Sequence, residues 1–155
     1  MSQTDARNNC FHDSAETAGE EYRSGFLTLP QPKDKHENFW FRYLFITHAE
    51  TDKNDRYWLD ITEELPATNP RKWVYSDGTP VLWTRWQDGQ PNNHGDGEPS
   101  VEGDYDEFWH DVSDKTENKF MCVYYMPHDA RYDCQWLHDY ADDDSYLGDD
   151  HRVEQ

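Results

Sequence analysis

The stretch Gln90-Pro-Asn-Asn-His-Gly-Asp-Gly-Glu98, followed further along by Trp109-His-Asp111, decides how this chain is read. Amide and carboxylate side chains crowd both pieces, while Pro91, Gly95 and Gly97 mark a turn. A calcium ion takes about six to eight oxygen ligands at about 2.3–2.6 Å, so its ligands must converge from separated segments. Two oxygen-rich pieces flanking a short connection meet that need. Pro91 stands between two potential ligands, and a cis bond before it would turn Gln90 and Asn92 toward the same side. Taken alone, the same residues also spell an ordinary solvated turn.

The charge of the whole chain favours a cation as ligand. Against 14 Lys and Arg stand 33 Asp and Glu, a formal charge of −19, which repels phosphate backbones and anionic lipid. Nucleic acid and acidic membranes are therefore poor partners. A hydrophobic share of only 34% would by itself point to disorder, but seven Trp and ten Tyr supply enough ring area for a core. No run approaches the roughly 18 apolar residues of a membrane span. Residues 1–10, MSQTDARNNC, lack the apolar run of a secretory signal. Cys10, Cys122 and Cys134 allow at most one intrachain disulfide and leave an odd thiol, which is not a zinc set.

At 155 residues the chain fits one domain with a tail. Residues 1–13 are polar and expected to be unstructured, 14–126 form the domain, and 127–155 are an acidic extension. A short helix is expected over Ser14–Ser24, stopped by Gly25, then a brief strand over 25–30. Pro32 and Asp34 introduce a second helix, with Phe39, Tyr43, Leu44 and Phe45 on one face. Tyr57–Thr62 alternates like a strand, and Lys119–Tyr125 is the final one. Between them, 63–103 is rich in Pro, Gly, Asn and Asp, a length of irregular chain uncommon inside a domain. Its Trp73, Trp83 and Trp86, with Trp109 beyond, argue for order and read as packing residues. There is no internal repeat.

In these residues the sequence resembles the C-type lectin family. The matches fall in order: Trp58-Leu-Asp-Ile61 for its WIGL strand, Tyr75-Ser-Asp-Gly-Thr-Pro-Val81 for its WSDGTPV-like turn, then Trp86, Gln90-Pro91-Asn92, Gly97-Glu98, Trp109-His110-Asp111 and Phe120-Met-Cys122. Each piece is weak alone, and the ordered set over about 14–125 is specific. The resemblance implies an α+β, C-type lectin-like fold, with two helices, small antiparallel sheets and a long irregular loop at one edge. It implies Ca2+ as cofactor, held by Gln90, Asn92, Glu98, His110 and Asp111, and a sugar held by Gln90, Asn92, Glu98 and Asp111. An auxiliary ion would draw on Glu63, Asn93 and Glu98. On this reading, removing calcium loosens the loop.

Two positions depart from the family. His110 stands where an Asn is usual, and imidazole is a poorer calcium ligand than an amide oxygen. Gln90 gives an amide where mannose-type EPN members give a carboxylate, which leaves Glu98 and Asp111 as the anionic ligands. QPN is a hybrid between EPN and the galactose-type QPD; the compact loop after it leans to mannose- or fucose-type sugars. The family's loop disulfide is lost as a pair, with Ser100 and Asp114 at its ends. Cys122 remains, but Tyr22-Arg23-Ser24 offers no helical partner, so the resemblance implies a bridge between Cys10 and Cys122, leaving Cys134 free or intermolecular.

The implied partner is a carbohydrate or glycoprotein, at an extracellular or secreted location, with oligomerisation as a route to avidity. Two rival readings stay open. One is a protein-binding domain of the same fold without calcium. The other is a glycosidase using a pair of carboxylates, although no GxSxG, HExxH or GxxxxGK[ST] pattern is present and the expectation is that the chain is not an enzyme.

Overall fold

Ser2 caps the first helix. Its hydroxyl donates to the Asp5 carboxylate at 2.7 Å and accepts from the Asp5 N–H at 3.2 Å, satisfying a donor that has no partner inside the helix. Helix α1 (Gln3–Thr17) follows. This is seen in a computed structural model, which describes residues 1–17, 26–48 and 51–125. The helix therefore begins within the segment expected to be unstructured, and Gly25, its expected stop, lies outside the described residues. The pattern is faint because the buried positions at helical spacing, Gln3, Ala6 and Cys10, include only small apolar side chains and an amide. Gln3 Nε2 donates to the carbonyls of Leu59 and Ile61, and Arg7 Nε to Asp60, so α1 docks largely through polar bonds.

Strand β1 (Phe26–Thr28) leads to helix α2 (Lys35–His48). Asp34 caps α2, accepting from the N–H groups of His36 and Glu37, and Glu37 reaches back to the Lys33 N–H. The buried residues are Asn38, Phe41 and Phe45; Phe39, Trp40, Tyr43 and Leu44 are exposed. Only Phe45 of the expected face is inside. The continuous apolar run here carries no phase, since almost any face of such a helix is hydrophobic.

The remaining strands are β2 (Tyr57–Glu63), β3 (Trp73–Tyr75), β4 (Ser100–Gly103), β5 (Trp109–Val112) and β6 (Val123–Tyr125). An antiparallel sheet runs in the order β3-β2-β4-β5, and β1 pairs with β6, Phe26 opposite Tyr125. Strand β2 divides two packed clusters, as its alternating side chains require. Tyr57, Leu59 and Ile61 join Phe45, Trp73, Tyr75, Val101 and Trp109, whereas Trp58 meets Ala6, Cys10 and Leu29. Gly103 is required by close approach: a Cβ there would lie 2.5 Å from the Tyr57 ring. Cys10 and Cys122 form a disulfide that ties α1 to the start of β6. Cys134 lies outside the described residues.

Candidate functional site: a loop seated on Asp111

Strand β5 presents Trp109 and Asp111 on one face and His110 on the other, by the two-residue period of a strand. Trp109 is fully buried, with Trp83 and Trp86 edge-on to it at 5.4 and 5.9 Å between ring centres. Its backbone N–H donates to the Arg85 carbonyl and its carbonyl accepts from the Gln87 N–H, at 2.8 and 3.1 Å. These bonds hold the entry to the 90–98 loop against the sheet.

Asp111, 1% exposed, seats the loop itself. Its Oδ1 accepts from the Asn92 N–H and its Oδ2 from the Asn93 N–H, each at 2.8 Å. The His94 N–H donates to both Asn92 Oδ1 at 2.9 Å and Glu98 Oε2 at 2.7 Å, so these two oxygens converge on one donor. Asn93 Oδ1 accepts from the Glu98 N–H at 3.2 Å. The Gln90–Pro91 bond is cis. Gln90 Oε1 is buried and, among the described residues, has no hydrogen-bond partner, which leaves an acceptor with unmet demand.

His110 is not brought to this cluster. Its Nε2 lies 3.1 Å from Asp104 Oδ2, on the opposite face of the sheet. Burial opposes ionisation of Asp104, but bonds from His110 and from the Phe108 and Asp106 N–H groups outweigh it and hold the carboxyl below its ordinary value. Of the five residues expected around the principal ion, Asn92, Glu98 and Asp111 are linked through the backbone of the loop, and Gln90 lies on the same loop with its Oε1 buried and unpartnered among the described residues. The expectation for His110 fails because adjacent residues of a strand face opposite ways.

Arg71, which no motif in the sequence singles out, ties the loop to the sheet. Its Nε and Nη2 grip both oxygens of Glu63 at 2.9 Å each, its Nη1 donates to Asp111 Oδ2 at 2.5 Å, and its Nη2 also donates to the Glu98 carbonyl at 2.6 Å. The guanidinium carbon lies 4.5 Å from the centre of the Trp73 ring. Nothing local in the sequence ties Arg71 to Asp111, forty positions away.

The donor set separates the two metal positions. Among the described residues no cluster of three or more His, Cys, Asp or Glu is arranged to hold a metal, so an ion near Gln90 must draw heavily on amides. Gln90 Oε1, Asn92 Oδ1 and Glu98 Oε2 are oxygens, as a hard cation requires. A carboxylate has about four lone-pair sites. Asp111 uses two on Oδ2 and one on Oδ1, which leaves one on Oδ1. This set fits calcium with few charges. The auxiliary set fits less well: Arg71 already places a cation on both Glu63 oxygens and the Glu98 carbonyl, and its charge repels a second one.

A mixed fold that presents a long, polar, internally braced loop at a sheet edge defines a binding domain. The chain matches the C-type lectin domain over residues 1–124, and it belongs to that family. The match includes the residues of α1. The structure is similar to the C-type lectin CEL-I from Cucumaria echinata, with TM-score 0.63 and 19% identity over 82% of this chain and 85% of that one. It is also similar to the carbohydrate-recognition domain of the mouse scavenger receptor C-type lectin, with TM-score 0.60, 22% identity and coverages of 81% and 80%. The cow CD23 carbohydrate-recognition domain, determined in the presence of GlcNAc2Man3 oligosaccharide, aligns with TM-score 0.59, 16% identity and coverages of 82% and 81%. Identities this low carry the fold. The family is one of non-enzymatic binding domains, which sets the glycosidase reading aside.

Proposed function

We propose that this domain binds carbohydrate at the 90–98 loop, with calcium held by Gln90, Asn92, Glu98 and Asp111. The observation that carries the reading is the buried, unpartnered Gln90 Oε1 in the loop where Asn92 Oδ1 and Glu98 Oε2 converge. When bound, calcium supplies open coordination positions for two neighbouring sugar hydroxyls. The chain does the rest. Gln90 and Asn92 offer amide N–H donors to those hydroxyls, and Glu98 offers a carboxylate acceptor. Asp111 holds the backbone of Asn92 and Asn93 in place. Because only Glu98 and Asp111 are anionic, and Arg71 partly neutralises Asp111, calcium affinity is low for the family type. The compact Asn93–Gly97 connection favours mannose- or fucose-type sugars.

Single-site affinity at so shallow a loop is weak, and useful avidity comes from several domains on one assembly. The Cys10–Cys122 bridge supports an oxidising, extracellular location. No helix among the described residues is long and apolar enough to cross a membrane. A second reading, calcium-independent recognition of a protein ligand, is favoured by two observations: Arg71 already pairs with Asp111, and His110 with Asp104. A glycan array probed with and without chelator separates them. Binding to mannose- or fucose-terminated glycans that chelator abolishes supports the first reading; no glycan signal in either condition supports the second.

A further inference from the structure

The place where an auxiliary ion was expected is filled by a side chain. Arg71 bridges Glu63, Asp111 and the Glu98 carbonyl, three acceptors contributed by β2, β5 and the end of the 90–98 loop. Its own side chain is 16% exposed and those of Glu63 and Asp111 are 10% and 0% exposed, so the pairs are well shielded from solvent. A planar guanidinium directs its N–H groups at several acceptors at once, which a lysine ammonium on a flexible stem does less well. The Trp73 face adds a cation–π contact that fixes its plane. Without a cation at this point, Glu63 and Asp111 would lose the positive partner they share, which is costly for carboxylates shielded from water.

We propose that Arg71 is a built-in cation that replaces an auxiliary divalent ion and keeps the 90–98 loop seated on Asp111 without metal. It is a positioning residue: it sets Asp111, and Asp111 sets the Asn92 and Asn93 N–H groups. Two consequences differ from those of a loop ordered by ions. The metal-free protein keeps its loop folded, contrary to the loosening expected from sequence. Removing Arg71 opens a latent acidic position, made by Glu63, Asp111, the Glu98 carbonyl and the adjacent Asn93, that a divalent cation can enter.

The test measures amide hydrogen exchange at Asn92 and Asn93 in excess chelator and then in millimolar calcium, on the wild-type chain and on Arg71→Gln. The wild type should keep both amides protected in chelator. Arg71→Gln should lose protection by about tenfold or more in chelator and regain it in calcium, as a local opening that a ligand reverses. Calcium stoichiometry by calorimetry should rise by one ion from wild type to variant. Should Arg71→Gln fail to fold, the wild type alone still decides: loss of protection at Asn92 and Asn93 in chelator overturns the proposal. Equal protection of variant and wild type in chelator overturns it as well. None of these readouts requires sugar binding, so the proposal stands or falls apart from the lectin reading.

Discussion

Asn38 reaches from α2 to Trp109: its Oδ1 accepts from the indole Nε1 at 2.7 Å while its Nδ2 donates to the Glu107 carbonyl at 3.0 Å. The bond joins the helix to the strand that carries Asp111, at a point where both side chains are buried. Truncating Asn38 to Ala strands the indole N–H without a partner, at a cost of about 1–3 kcal/mol. Urea unfolding followed by tryptophan fluorescence measures this directly. An Asn38→Ala midpoint equal to that of wild type would show that the bond contributes nothing.

Glu98 on the loop and Asp111 on β5 are both acidic, yet they should behave differently. Asp111 accepts from two backbone N–H groups and pairs with Arg71 in a buried setting, so Asp111→Ala should destabilise the fold by about 1–3 kcal/mol, the cost of leaving buried donors without their acceptor while Glu63 still holds the Arg71 charge. Glu98→Gln keeps an oxygen to accept from His94 and should stay within about 1 kcal/mol of wild type, as expected for a change at a partly exposed polar site. Its sugar binding should nevertheless fall to background. Thermal melts paired with a mannose-resin assay check both halves; equal melting temperatures for the two variants would contradict the different roles.

Glu102 gives a pH signature. Burial pushes its carboxyl above the ordinary value of 4.5, despite the bond from Asn118 Nδ2 and the nearby His110 and Arg56. A carboxyl raised on folding stabilises the protein most when protonated, and that stability is lost as pH climbs through its folded value. Glu102→Gln, which keeps an acceptor for Asn118, should therefore be more stable than wild type near neutral pH. The two curves should merge as pH drops below 4.5. Denaturant titrations from pH 4 to pH 8 would refute this if the variant were the less stable protein at neutral pH.

The parts of the fold legible in the sequence were those with a local signature. Asp34 before an apolar run announced α2, and Tyr57–Thr62 announced the central strand. The Cys10–Cys122 bridge followed from the family resemblance. Helix α1 escaped because polar Gln3 does part of its docking, so no apolar period showed. The candidate site was legible where its oxygen-bearing residues are near neighbours in the chain, from Gln90 to Glu98. It was not legible where long-range geometry decides, as when the strand turns His110 away toward Asp104. Arg71 shows the same limit, since its partners come from three separate segments.

Calcium titration of the metal-free protein by isothermal calorimetry, repeated with mannose present, tests the central claim most directly. One saturable calcium heat is expected, strengthened by the sugar because the two ligands share a site, and absent in Glu98→Gln. A flat titration in a protein that still captures its glycan in chelator would contradict calcium-dependent recognition at this loop.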